Sequence, residues 1–344
     1  MATSLAPGSI ARQDFPPQSQ IEKIRVLAVI PAGRGVMYAT RQISSLIDAG
    51  VDVGTFALMS RTSPLRLLKE YKRLRSEIRR FRPHLIHAHY GTVTSFLCAV
   101  SSQVPLVITF RGSDLNGDPD VSFLRSRVAQ VLSQISSLRG HAIICVSHRL
   151  RDRLWWRRNH VSIIPSGVNL DVFRPQPKHQ ARALLGWDQD AHIVAFNGAH
   201  RPRTKGLEFV QAAVRVAELT VGAIQLAVFD GNSRSELMPS CLNAADCLAL
   251  ASVHEGSPNV VKEALACNLP VVATDVGDVA ERLQHVYPSR VVGRDVVEFG
   301  KELTEILMEK RRSNGRERIA LYSEPRVADL IRAVYEATVE RNGK

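Results

Sequence analysis

The stretch from Cys247 to Asp275 reads CLALASVHEGSPNVVKEALACNLPVVATD, and its changes of texture decide the fold class. An apolar run, Cys247–Ser252, gives way to small and polar residues at His254-Glu255-Gly256-Ser257. A helical stretch follows from Pro258 to Cys267, then a second apolar run, Pro270–Asp275. Short apolar runs without alternation are strands covered on both faces. Strand, turn, helix and strand in that order form the unit of a parallel sheet. The turn into the helix leaves free backbone N–H groups at the carboxyl edge of the sheet, which attract phosphate or sugar hydroxyls. Pro258 suits a first helical turn, where its missing N–H costs nothing. Glu255 lies on the loop and Glu263 one to two turns into the helix, so both can face one crevice at different depths.

The same unit recurs outward in both directions. Towards the N-terminus, strands are expected at Arg25–Ile30, Val51–Leu58, Leu85–Tyr90, Leu106–Phe110, Ala142–Ser147 and Ser162–Pro165. In the second half they are expected at His192–Gly198, Ala223–Gly231, Cys247–Ser252, Pro270–Asp275 and Arg290–Gly293. Helical segments separate most of them, so the fold class is α/β: two Rossmann-like, doubly wound domains facing a cleft. The 344 residues suit two such domains. The divisions expected are a disordered leader over 1–23, a first domain over 24–168 and a second over 169–325. Pro165-Ser166-Gly167 forms the hinge, and a last helix over 326–344 packs back on the first domain.

Composition excludes several classes. No apolar run reaches the roughly 20 residues that span a bilayer, and the Pro-, Gln- and Ser-rich leader lacks the apolar core of a signal peptide. The five cysteines sit singly in apolar stretches without ligand spacing, which fits a reducing cytoplasm better than disulfides or zinc. The net charge of +12 is uneven: 23 Lys and Arg face 10 acidic residues up to Val168, against 22 facing 23 beyond it. Such asymmetry suggests an anionic partner for the first domain.

The His254–Ala266 segment resembles the Glu-x7-Glu motif of the family-4 glycosyltransferases, retaining enzymes of the GT-B fold. With Asn268–Asp278 it is similar to a subgroup working on cell-wall and capsular polysaccharides, including teichuronic-acid synthesis. The resemblance implies that Glu255 contacts the donor sugar and Glu263 the nucleotide ribose. The backbone of Gly256, Ser257, Asn259 and Val260 would line the sugar and diphosphate. Asn197–Gly206 resembles the family's Arg…Lys-Gly pair, two cations that neutralise a diphosphate leaving group. Arg201 and Arg203 compete for the arginine role; Arg201 with Lys205 is favoured. Pro31-Ala32-Gly33-Arg34-Gly35 resembles the first glycine loop, whose Gly33 and Gly35 would face the donor phosphates. Ser162–Asn169 resembles the interdomain signature, and the similarity runs from about Arg25 to Thr338.

Two features depart from the family. Many members carry a catalytic histidine where this chain has Arg111 in Arg111-Gly112-Ser113-Asp114. Arg111 could hold an anionic donor or acceptor and Asp114 could bind sugar hydroxyls; a surface Arg–Asp pair closing the loop is the plainer alternative. Only one strand is expected between Gly206 and Asp246, where the family usually has another strand–helix unit near the base pocket. His87 and His89, two apart on a strand, share a face and read as structural histidines in preference to a shared metal. Asp114-x-Asn116-x-Asp118-x-Asp120 imitates a calcium loop, but Pro119 and Arg125 replace its glycine and terminal glutamate. No essential metal and no cofactor are expected, since the nucleotide-sugar is a substrate.

Leu67, Tyr71, Leu74, Ile78 and Phe81 form the buried stripe of one helix, leaving Arg66, Lys69, Arg73, Arg79 and Arg80 mostly outside it. With Arg149–Arg158 and its paired tryptophans, this basic face suits an anionic membrane surface. The expectation is a cytoplasmic enzyme, peripheral on the inner face of the membrane. It would move a sugar from a nucleotide-sugar, a UDP-sugar first, to a glycan or lipid-linked acceptor in polysaccharide synthesis. The rival readings are a GT-B-type sugar-nucleotide epimerase and a non-catalytic scaffold binding anionic surfaces. No recognised nucleic-acid motif is present.

Overall fold

The apolar runs become two parallel sheets. A computed structural model of the protein describes residues 23–33, 37–60, 63–117, 120–198, 202–229 and 235–342. The first sheet holds β1 (Arg25–Pro31), β2 (Asp52–Leu58), β3 (Leu85–Ala88), β4 (Leu106–Phe110), β5 (Ala142–Cys145) and β6 (Val161–Ile163), in the order β2-β1-β3-β4-β5-β6. The second holds β7 (His192–Asn197), β8 (Ile224–Phe229), β9 (Cys247–Leu250), β10 (Val271–Thr274) and β11 (Arg290–Val292), in the order β11-β10-β9-β7-β8. Every pairing is parallel. Central strands such as β3, β4, β9 and β10 are buried along their whole length, as expected of a sheet covered on both faces.

Each order reverses once, between β1 and β3 and between β7 and β9. At such a switch point the loops leaving neighbouring strands turn to opposite faces, and a crevice opens at the carboxyl ends. The short helix Pro202–Lys205 after β7 carries Lys205, and the loop after β9 carries Glu255. Topology therefore brings together two residues that lie 50 positions apart in the sequence.

The chain passes from the first sheet to the second beyond Ile164 and returns beyond Tyr322. The two crossings run side by side: Val168 N donates to Tyr322 O at 2.9 Å and Glu324 N to Val168 O at 3.0 Å. Gly167 permits this, because a Cβ there would lie 2.8 Å from the Glu324 Cα. The helix Glu324–Asn342 then lies on the first sheet, seating Val327, Ala328, Ile331 and Tyr335 against Val26, Leu85, Val107 and Ile144. Tyr335 Oη and His87 Nδ1 are 2.6 Å apart, so the returning helix is bonded as well as packed.

The basic helix forms over Pro64–Phe81 with Leu74 and Ile78 buried and its five named cations exposed. The two tryptophans differ. Trp156 donates to Ser137 Oγ at 2.6 Å and is half-buried, whereas Trp155 is exposed. The five cysteines are buried thiols. No helix among the described residues is long and apolar enough to cross a membrane.

Candidate active site

The two switch points face each other across a cleft of about 180 Å³. Tyr90, Arg111–Ser113, Asn116 and Gly117 line it from the first half, and Thr204, Lys205 and His254–Gly256 from the second. At its centre Lys205 Nζ lies 2.5 Å from Glu255 Oε1, which also accepts from Ser252 Oγ at 2.8 Å. Both charged side chains remain partly open to the cleft. The helix Asn259–Ala266 begins beside them, so its free N–H groups add positive potential to that of Lys205. Pro258 stands one residue before the first helical residue. The Asn259 Oδ1 is buried without a hydrogen-bond partner among the described residues.

The floor of the cleft is backbone on backbone. A Cβ on Gly256 would lie 1.9 Å from Arg111 O, and one on Gly112 would lie 3.2 Å from Gly256 N. A Cβ on Gly277, whose φ is +58°, would lie 2.6 Å from Gly256 O. Gly112 and Gly256 thus let the loops of the two halves touch with no side chain between them, and Gly277 packs on Gly256 from within the second half.

Glu263 lies deeper, at 12% side-chain exposure, 3.4 Å from Arg41 Nη1 on the opposing helix Met37–Asp48. Burial raises its pKa, and the Arg41 charge works against that rise. The next residue inward is a fully buried lysine. Lys262 Nζ donates to Ser166 O at 2.8 Å and Ser257 Oγ at 3.0 Å, and burial lowers its pKa to about 8. Ser257 Oγ donates to Asp278 at 2.8 Å, and Arg282 holds the same carboxylate oxygen at 2.9 Å. The side chains of Ser257 and the buried Val260 are therefore committed within the second half.

Arg111 and Asp114 are held apart from one another in their side-chain contacts. Asp114 is fully buried, and its carboxylate accepts from the backbone N–H of Gly91 at 3.0 Å, Gly112 at 2.8 Å and Arg111. Burial raises its pKa, and those donors work against the rise. With its oxygens so engaged, Asp114 shapes the cleft loop; the expected contact with sugar hydroxyls is not what this geometry offers. It is not a surface Arg–Asp pair either, because the Arg111 guanidinium points elsewhere. It donates to Ser166 Oγ at 3.0 Å, to His89 O at 3.3 Å and to Gln42 Oε1. Burial pulls its pKa down to about 10. It sits at the hinge with no ion-pair partner among the described residues, still a wall of the cleft.

His87 bonds Thr109 Oγ1 at 2.7 Å as well as Tyr335, and stacks on His89 with ring centroids 3.9 Å apart. Among the described residues no three His, Cys, Asp or Glu side chains gather as a metal site would need. Gly33 is exposed just beyond β1 with φ +117°, while Gly35 and Arg201 lie outside the described residues. Arg203 is exposed and borders a separate pocket with Phe209 and Arg294.

Residues 22–172 match the family model Glycosyltransferase Family 4, and residues 211–309 match Glycosyl transferases group 1. Each half of the chain thus matches a glycosyltransferase-family model. TuaC of Bacillus subtilis (strain 168), a glycosyltransferase named for teichuronic acid biosynthesis, is 31% identical over 219 residues, covering 58% of this chain and 54% of its own. The chain spans about half the length of the curated relatives it matches. Among solved structures, a sucrose-phosphate synthase from Thermosynechococcus elongatus superposes with a TM-score of 0.77 at 19% identity, over 92% of this chain and 99% of that one. Anabaena HepE in complex with UDP and glucose gives 0.70 at 16% identity, over 91% and 100%. The fold is GT-B.

Arg41, Gln42, Ser166 as a side chain, and Lys262 are not among the site residues expected from the sequence. Arg41 carries no local mark, because its partner is 222 residues away. Lys262 did leave a signal: a lysine flanked by Val260, Val261, Ala264 and Leu265, in a helix packed on both sides.

Proposed function

We propose that the protein is a retaining glycosyltransferase that moves a sugar from a nucleotide-sugar, a UDP-sugar in the first instance, to a glycan or lipid-linked acceptor in polysaccharide synthesis. The observation that carries this reading is the Lys205–Glu255 pair at the start of the Asn259–Ala266 helix, facing the first-half loop Arg111–Asn116 across the cleft. Cleavage of a sugar–phosphate bond builds negative charge on the leaving diphosphate. Lys205 and the helix N-terminus supply fixed positive potential there without reorganising. Glu255 then releases Lys205 to the phosphate and turns to the sugar, while Glu263 binds the ribose. The leaving phosphate takes the acceptor proton on the same face, so no protein nucleophile and no metal is needed. The TuaC likeness supports the polysaccharide setting, and the nucleotide of HepE supports UDP.

Calorimetry with UDP, GDP and ADP, without added metal, tests this. One nucleotide binds, and Glu263→Ala weakens it by about 10- to 100-fold, the worth of charge-assisted hydrogen bonds of roughly 1.5–3 kcal/mol. Failure of all three nucleotides to bind the wild type would overturn the reading. An epimerase would instead convert its sugar-nucleotide with no acceptor present.

A further inference from the structure

The helix Phe123–Arg139 is amphipathic in the wrong direction. It packs on the helix Thr92–Ser101, where Thr92 N donates to Ser133 Oγ at 2.7 Å, and Ser133, Gln134, Ser136 and Ser137 are all buried. Its apolar residues face outward: Phe123, Leu124, Val128, Val131, Ile135 and Leu138 are between 39% and 80% exposed. At 100° per residue the last five fall within one narrow stripe, about 20 Å long at 1.5 Å per residue. A surface helix of a water-soluble monomer normally shows the reverse arrangement, and a contiguous exposed apolar face marks an interaction site.

Charge selects the occupant. From Val121 to His160 the chain has eight arginines and one acidic residue. Arg125 and Arg127 are exposed beside the start of the stripe. The loop Arg153–Arg157 is tied to the helix through Gln134 and Ser137, and it holds Trp155 54% exposed near the other end. An apolar stripe between arginines, with an exposed indole at its edge, matches the boundary between anionic headgroups and acyl chains.

We propose that the helix Phe123–Arg139 docks the protein on an anionic lipid surface. This rests on the transferase reading for its purpose. Gln130 Nε2 donates to Leu115 O at 3.1 Å, and Thr204 Oγ1 donates to Asp120 Oδ1 at 3.1 Å, so the helix begins at the lip of the cleft. Docking through it sets the acceptor side of the cleft at headgroup level, and the acceptor class is a membrane lipid-linked glycan.

The test is co-flotation of the full chain with vesicles of phosphatidylcholine alone and of phosphatidylcholine with phosphatidylglycerol, at low and high salt. Wild type floats with the anionic vesicles at low salt. Leu124→Ser with Ile135→Ser, both at exposed positions, lowers the floated fraction at least tenfold while circular dichroism and UDP affinity stay unchanged. Arg125→Gln with Arg127→Gln lowers it at low salt and makes it less salt-sensitive. Absence of wild-type flotation, or a serine variant that floats like wild type, overturns the proposal. So does a wild-type dimer that becomes monomeric in the serine variant without any vesicle binding, which would make the stripe a contact between copies. UDP binding read on the same samples separates failure of the docking surface from failure of the transferase reading.

Discussion

At the scale of single residues, Gly256 shapes the site through the side chain it lacks. Its missing side chain lets the Glu255 loop meet Arg111 O, and the 1.9 Å a Cβ would leave cannot be recovered by rotating a side chain, because the neighbour is backbone. Gly256→Ala must displace one loop or part the halves. A cost of about 1–3 kcal/mol in stability is expected, as for other overpacked sites. UDP affinity should fall about tenfold or more, since roughly 1.4 kcal/mol of misplacement suffices for that. Thermal denaturation and calorimetry on the variant check both; an unchanged melting point with unchanged affinity would mean the seam yields freely. The glutamates and Lys205 stand out because they lie in short motifs, and topology then brings Lys205 to 2.5 Å from Glu255. Asp114 was misread for the opposite reason. Its partners are backbone N–H groups, one of them on Gly91, 23 residues away, and no residue type announces them.

At the scale of elements, the strands were legible because burial on both faces writes a continuous apolar run, and each expected run became a strand within a few residues. The inverted helix Phe123–Arg139 was not, because an apolar periodicity says which residues share a face and not whether that face is covered. The docking of the last helix shows what covering achieves. Val327, Ile331 and Tyr335 seal the first sheet, and the seal buries His87. Burial, with the nearby Arg111 charge adding to it, holds His87 down at about 3, and His89 is likewise held well below its ordinary value. Above pH 6.5 both folded and unfolded chains keep these rings neutral and nothing is lost. As pH falls from about 6.5 towards 3, the unfolded chain takes up protons that the folded chain refuses. Each ring then removes about 1.4 kcal/mol per pH unit. For His87 alone that is about 3 kcal/mol by pH 4.5. Replacing His87 with Gln keeps a donor and an acceptor for Tyr335 and Thr109, so stability between pH 6.5 and pH 4.5 should fall less steeply, by about one proton. Urea midpoints at several pH values measure this, and parallel slopes for variant and wild type would refute it.

At the scale of the whole molecule, the two halves are joined by contacts of very different strength. The paired crossings at Val168 and Glu324, the glycine seam, and the hold of Arg111 and Lys262 on Ser166 are buried or covalent. Arg149 with Asp275 and Arg41 with Glu263 are ion pairs open to solvent on at least one side. Exposed pairs contribute about 0–1 kcal/mol each and weaken with salt. The charge asymmetry behind them was legible from composition, but the pairings were not, since Arg149 and Asp275 lie 126 residues apart. In the proposed reaction a nucleotide-sugar enters between the halves, and its ribose takes Glu263 from Arg41. Opening therefore breaks the exposed pairs while the crossings act as hinge. Raising the salt from about 0.05 to about 0.5 M shrinks the screening length from roughly 14 to 4 Å. Small-angle scattering should then show a larger radius of gyration, Arg149→Ser should show it already at low salt, and UDP should reverse it by bridging Lys205 and Glu263. A scattering curve indifferent to salt, substitution and nucleotide would place the resting closure in the glycine seam instead, and donor entry would require Gly112 and Gly256 to part.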